Sequence, residues 1–483
     1  MLTLINSNRM VPPIAPVGLD YVAGAARRAG VDVDLLDLGL AESPDNAVAQ
    51  HFARRQPELV GISVRNVDDC FWPSGASFLP VIEKTIAAVR ASTDAPIVLG
   101  GVGFSIFARE IVEHAGAEFG IRGDGEAAIV VLLGELRGDR RFDRVPGLIY
   151  RDGRTMRAND PAWPHELSVP TARDTVDNAT YFRLGGQIGV ETKRGCYRQC
   201  VYCADPLAKG PAARTRSPGE VADEVEALLA QGVDVLHLCD SEFNVPADHA
   251  LAVCDELVRR RLPRRVRWYT YMAVTPFDAE LARRMALAGC VGINFTGDAA
   301  AQSMLAFYRQ PHRKEDLARA VSLCRKHDMA VMLDLLLGGP GETPDTLAET
   351  IRFVKQIGPD CAGAALGIRV YPNTALARIL LAEGPLEANS GIRRRYDGPI
   401  DLLQPTFYIA PALGDRPAQL VRELIDRDDR FFPPEDGTGD AESDAQGDHN
   451  YNENQILADA IAAGARGAYW DILRKLRAAG RSR

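Results

Sequence analysis

The stretch GCYRQCVYC, residues 195–203, places three of the chain's nine cysteines within eight positions. Cys196, Cys200 and Cys203 follow a Cys-x3-Cys-x2-Cys spacing on a loop directly after a strand-like run. Thiolates grouped in this way bind soft metals. A closed zinc site takes four ligands, and so does a typical electron-transfer [4Fe–4S] cluster. Three thiolates on a cubane leave one iron open, and an open iron can bind a substrate or cofactor. A zinc reading needs a fourth ligand, and no nearby His or Cys supplies it. A disulfide reading fails on the odd count. The other six cysteines (Cys70, Cys239, Cys254, Cys290, Cys324 and Cys361) stand singly, mostly in apolar contexts. They read as buried free thiols in a reducing cytoplasm.

The elements that must position this loop can be read from periodicity. The chain has 483 residues, with 46% hydrophobic and 25% charged residues, the profile of a multidomain globular protein. No run of 18 apolar residues occurs, so no membrane span is expected. The first residues, MLTLINSNRMVPP, read as a strand and not as a signal peptide. The net charge of −9 argues against nonspecific nucleic-acid or membrane-surface binding. Residues 1–140 alternate strand and helix, which implies a doubly wound parallel sheet. Such a sheet binds ligands at the carboxyl ends of its strands. Residues 141–185 read as a linker with a small hairpin turning at Asp152-Gly153. A second series begins near Gly189 and holds six strand–helix units, a partial (β/α)6 barrel over residues 186–405. Its chemistry belongs at the carboxyl mouth of the strands. The remainder, 406–483, is mainly helical, with an acidic loop at 433–454 and a terminal helix. AYWDIL (468–473) in that helix reads as an amphipathic packing face.

The cysteine spacing and its place after the first barrel strand resemble the radical S-adenosylmethionine (SAM) superfamily, whose cluster motif is CxxxCxxC. The resemblance implies a [4Fe–4S] cluster on Cys196, Cys200 and Cys203, with SAM on the open iron. It places Tyr202 beside adenine, and CDSEF (Asp240, Ser241, Glu242) at the SAM amine. INFTGD (Asn294, Thr296) corresponds to the ribose contacts. LLLGGPGET (Gly338, Gly339) resembles the fifth-strand turn near adenine, and GIRVYPNTALA, with Tyr371, the sixth-strand segment.

A doubly wound domain ahead of such a barrel is similar to the cobalamin-binding subgroup. The opening PPIAPVGLDYVAGAARRAGVDVDLLDL and the turns GGVGF and GDGEAA carry this likeness. It implies cobalamin contacts from Asn8, Pro13, Arg65, Asn66, Gly100, Gly101, Val102, Gly123 and Glu126. No Asp-x-His-x-x-Gly motif is present, and His51 and His114 fall in predicted helices. This fits a subgroup that leaves the lower cobalt face without a protein histidine.

The two cofactors together imply methyl transfer to an unactivated carbon of a small molecule or peptide in specialised metabolism. A cyclase or rearrangement enzyme, a methylthiotransferase and a cofactor-binding sensor are the other readings. The resemblance also implies an external one-electron reductant such as flavodoxin or ferredoxin, with no membrane or nucleic-acid partner. Tyr269 and Tyr271 share one strand face and are substrate candidates. So are Asp334 and Arg369, charges in strands expected to line the barrel, since a buried charge must meet a partner or ligand.

Overall fold

A computed structural model describes residues 1–435 and 450–481. Two seven-stranded sheets dominate it. The first joins β1 (Leu2–Asn6), β2 (Val33–Asp37), β3 (Leu59–Ser63), β4 (Ile97–Gly100), β5 (Phe119–Ile121), β6 (Leu148–Asp152) and β7 (Thr155–Ala158). Their order is β2-β1-β3-β4-β5-β6-β7. The first five are parallel, and the expected hairpin forms β6 and β7, adding antiparallel to β5. The hairpin therefore extends the first sheet instead of standing in the linker. The order reverses between β1 and β3, which opens a crevice at their carboxyl ends.

The parallel strands are buried on both faces, and so read as apolar runs rather than as alternations. In β1 and β3, Ile5, Val60 and Ile62 join a core with Phe52 and Ile86. Leu2, Leu4 and Leu59 point the other way, to Leu19, Ala23 and Leu132.

The second sheet contains β8 (Ile188–Val190), β11 (Val235–Leu238), β12 (Arg267–Ala273), β13 (Cys290–Asp298), β14 (Ala330–Leu337) and β15 (Cys361–Leu366) as parallel neighbours. A seventh strand, β19 (Phe431–Phe432), pairs with β15, too short to be read from periodicity. Between β8 and β11, β9 (Lys193–Arg194) and β10 (Arg214–Thr215) form a short antiparallel ladder. After β15, the strands β16 (Ile368–Arg369), β17 (Ile392–Arg394) and β18 (Thr406–Tyr408) make a separate sheet. The helices after the strands start at local signals: Ser217 accepts from the Glu220 N–H ahead of Pro218–Ala230, and Thr343 caps Pro344–Ile357.

Residues 436–449 of the acidic stretch lie outside the described residues. Residues 452–454 lie along the β1 loop, where the Val11 N–H meets the Asn452 carbonyl and the Asn454 N–H meets the Val11 carbonyl. The helix Tyr469–Arg481 then packs Trp470, Ile472 and Leu473 against Val235, Met332 and Cys361, at the amino end of the barrel. It is a packing helix at the floor, away from the mouth. No described helix is long and apolar enough to cross a membrane.

Candidate active site

The three cysteines sit on the loop between β9 and β10. Gly195 starts the loop at φ +81°, and a side chain there would collide with the Ala212 carbonyl. The Cys196 N–H meets the Gly210 carbonyl at 3.2 Å, and the Cys203 N–H meets the Cys200 carbonyl at 3.2 Å. Burial pushes all three thiols up, Cys200 to about 12 and Cys203 well above the usual thiol range. Each also feels negative charge nearby, from Glu242 at Cys196 and Cys200 and from Asp205 at Cys196 and Cys203. Thiols in such a place ionise readily only when a metal replaces their protons.

Facing them, the Glu242 Oε1 accepts from the Thr296 hydroxyl at 2.9 Å, while its Oε2 is buried with no hydrogen-bond partner among the described residues. Burial raises this carboxyl to about 7. An iron or an ammonium would satisfy the orphaned oxygen. Tyr202 donates to Asp298 at 2.7 Å, and Gln310 bridges Asp298 and the Cys200 sulfur at 3.4 Å from the latter. Burial lifts Asp298 to about 6. Asn294 donates to Asp334 at 2.8 Å, and its own Oδ1 has no hydrogen-bond partner among the described residues. Gly338 donates its N–H to Glu342, and at Gly339 the Tyr308 hydroxyl leaves no room for a side chain. Glu242, Asn294, Thr296, Gly338, Gly339 and Tyr202 thus surround one mouth. Asp298 and Gln310 belong with them; Asp298 closes the INFTGD motif, whereas Gln310 carried no signal.

Three residues expected at SAM have other work. Asp240 accepts from the Thr192 N–H at 2.7 Å, from the Thr192 hydroxyl at 2.5 Å and from the Lys193 N–H at 3.2 Å. It anchors the foot of the cysteine loop. Ser241 donates to Asp205 within that loop at 2.6 Å. Tyr371 lies 2.9 Å from the Cys70 sulfur and against Phe107, at the joint with the first sheet.

The turns after β1, β3 and β4 line the crevice opposite. Asn8 accepts from the Met10 N–H, and the Pro13 carbonyl packs on Gly185. Gly101 has φ +109°, and a Cβ there would stand 2.6 Å from the Val64 carbonyl. Gly101 is therefore required by the approach of the Val64 backbone alone, whereas a Cβ at Gly100 would meet nothing closer than 3.9 Å. Val102 is exposed beside them. Arg65 reaches Met10 Sδ at 3.1 Å and the Asn66 amide, and forms no ion pair among the described residues. Its charge is felt at Tyr271, Tyr469 and Cys239, inside the barrel.

Gly123 and Glu126 meet partners within the chain. Gly123 is covered by Trp163, and Glu126 holds Arg194 at 2.7 Å. Their neighbour Asp124 pairs with both Arg194 and Arg214. These arginines are the two feet of the cysteine loop, joined across the β9–β10 ladder. Glu191 also holds Arg194, at 2.7 Å, and Arg214 lies over Trp163. One carboxylate of the first domain therefore clamps both ends of the loop. Removing one partner of a buried pair leaves an uncompensated charge. Asp124→Ala is expected to release loop-bound iron to a chelator several-fold faster than wild type, read by the bleaching of the cluster absorption.

The arrangement brings a three-thiol loop and a doubly wound crevice face to face. Residues 190–354 match the radical SAM superfamily, and residues 8–133 match the B12 binding domain. A tryptophan 2-C-methyltransferase of Streptomyces laurentii is 30% identical over 97% of this chain and 95% of its own length. The chain belongs to the cobalamin-dependent radical SAM methyltransferases. The structure of the methyltransferase TsrM from Kitasatospora setae, with tryptophan and a SAM analogue, superposes with a TM-score of 0.93 at 30% identity. It covers 100% of this chain and 98% of that one. A second TsrM structure, with cobalamin and a [4Fe–4S] cluster, gives 0.88 at 29% identity over 99% of both. The methyltransferase works with these three cofactors: cluster, SAM and cobalamin.

Its barrel interior sorts the substrate candidates. The inward face carries His237, Tyr271, Asn294 and Asp334 at mid-depth. Tyr271 is 40% exposed to the space between the domains, and its ring lies 4.7 Å from His237. Burial lifts Asp334 to about 6 and lowers His237 to about 4. Tyr269 shares the face of Tyr271 but stands one layer lower. Its hydroxyl is 2.8 Å from Asp471 and its ring is sealed under the terminal helix, so it does not reach the mouth. Arg369 does not line the barrel either: it pairs with Asp68 at 2.9 Å, both side chains buried, and ties β16 to the β3 loop. His237 was not read from the sequence, because an isolated His in an apolar run carries no spacing signal.

Proposed function

We propose that this methyltransferase transfers a methyl group to a carbon of an aromatic amino acid, with tryptophan the first candidate. The likeness to the tryptophan-bound relative over the whole chain carries this reading. The interior supports it: Tyr271 offers an aromatic wall, Asp334 a carboxylate and Arg65 a cation with no ion pair among the described residues. An aromatic zwitterion presents a ring, an ammonium and a carboxylate.

In this reading Cys196, Cys200 and Cys203 hold the cluster. Glu242, Asn294, Thr296, Tyr202 and the Gly338–Gly339 turn hold SAM. Asn8, Pro13, Arg65, Asn66, Gly100, Gly101 and Val102 line the corrinoid crevice. When bound, SAM is the methyl source, cobalt the methyl carrier and the cluster the one-electron centre. The chain's own groups orient and shield. Glu242 and Thr296 fix one another at the mouth. Asp298, held by Tyr202 and Gln310, keeps the Cys200 side of the loop in place. Tyr271 and His237 shape the wall on which the substrate ring lies. Tyr197 is 56% exposed, so the cluster loop reaches the surface, where a flavodoxin or ferredoxin can approach.

The test is anaerobic turnover of the reconstituted holoenzyme with tryptophan and SAM labelled with a trideuterated methyl. Labelled methyltryptophan supports the proposal. Consumption of SAM with no label in any aromatic amino acid overturns it. Tyr271→Ala should raise KM for the amino acid about tenfold, the scale of one lost aromatic contact.

A further inference from the structure

Lys193, at the foot of the cysteine loop, has no role in the function proposed above. It lies in β9, three residues before Cys196, with its side chain 1% exposed. Its Nζ has no hydrogen-bond partner among the described residues and enters no ion pair there. Leaving an ammonium in that state is costly unless an anion meets it. Two of the carboxylates around it are committed elsewhere. Asp240 holds Thr192 and the Lys193 backbone. Asp205 is held by Ser241 and Lys209. Glu242 gives one oxygen to Thr296, and its other oxygen is as unpartnered as the ammonium. Yet the Lys193 charge acts on Cys196, Glu242 and Asp205 alike. The ammonium therefore acts on these groups without a hydrogen bond to any of them.

A [4Fe–4S]2+ core on three thiolates carries one net negative charge, and one added electron makes it two. We infer that Lys193 is the buried counter-charge of the cluster and raises its reduction potential. The inference rests on assigning the cluster to the three cysteines. No proton or bond is exchanged; the cluster takes one electron from the external reductant, and the fixed cation favours the more negative product.

The test is an EPR-monitored redox titration of the cobalamin-loaded holoenzyme without SAM, in wild type, Lys193→Met and Lys193→Arg. Methionine keeps the length of the chain and removes the charge; arginine keeps the charge. A midpoint shifted to more negative potential in Lys193→Met, with Lys193→Arg close to wild type, supports the inference. So does a Lys193→Met protein that binds cobalamin normally but loses its iron, when Lys193→Arg retains it. An intact cluster with an unchanged midpoint in Lys193→Met overturns it. If SAM binding is then the property that weakens, the ammonium belongs to the SAM carboxylate instead. A wild-type protein that loads no iron would sink the cysteine assignment itself, a failure distinct from this one.

Discussion

Cys200→Ser, and equally Cys196→Ser or Cys203→Ser, is expected to abolish cluster loading and methyl transfer while leaving the fold in place. Each thiol is one of only three the loop supplies, so no spare ligand can take over. The loss should exceed the roughly 10–100-fold that removal of an outer-shell partner costs at a metal site. The fold should survive because the loop's anchors are other residues. Asp240 holds its foot, Asp124 holds Arg194 and Arg214, and Val201 donates its N–H to the Tyr308 carbonyl and accepts the Leu376 N–H at its own carbonyl. Cobalamin should remain bound, because the turns after β1, β3 and β4 belong to a separate core. Iron analysis, corrinoid content and a melting curve on one sample check all three. A serine variant that keeps full iron would show that this thiol is not a ligand.

Legibility in the sequence followed the range of the interactions. The cysteine loop is local, so spacing alone exposed it. The six barrel strands are buried runs that end in turns, and they too could be read. Long-range pairings could not. Arg369 meets Asp68, and Tyr371 meets Cys70, in each case 301 residues away, and a motif says nothing about such a partner. Gly123 looked like a ligand turn because glycines at strand ends serve both ligands and packing, and only the position of Trp163 decides between them. Asp240 lies at the strand end where its motif placed it, and its contacts within the chain carried no sequence signal. Its carboxylate turns back to the loop that precedes it. Lys193 was invisible for a different reason: its importance lies in lacking a partner, which no sequence records.

The second large effect is expected far from the chemistry, at Glu224. This carboxylate is fully buried and accepts from Arg173 at 2.6 Å, from Tyr21 at 2.8 Å and from Arg216. Arg173 also pairs with Asp20 at 2.7 Å, and Asp20 accepts the Thr175 N–H at 3.0 Å. Two guanidiniums face two carboxylates, so the group is balanced in charge. Its members come from the helix Val17–Arg28 of the first domain, from the linker and from the barrel helix Pro218–Ala230. Glu224→Ala would leave Arg173 and Arg216 short of one negative charge in a dry interface. Breaking a buried pair in this way costs about 3–5 kcal/mol. The protein should melt at lower temperature, and a protease should gain access to the linker between β7 and β8. Replacing Glu224 and Arg216 together by methionine keeps Arg173 on Asp20, leaves no charge of the group stranded, and should recover much of the stability. The comparison separates two causes. Recovery in the double variant assigns the damage to the stranded guanidinium charge; no recovery assigns it to lost bridging between the domains. In the latter case methyl transfer should fall even where cluster and cobalamin are fully loaded, because the same joint sets the separation between the two cofactor mouths.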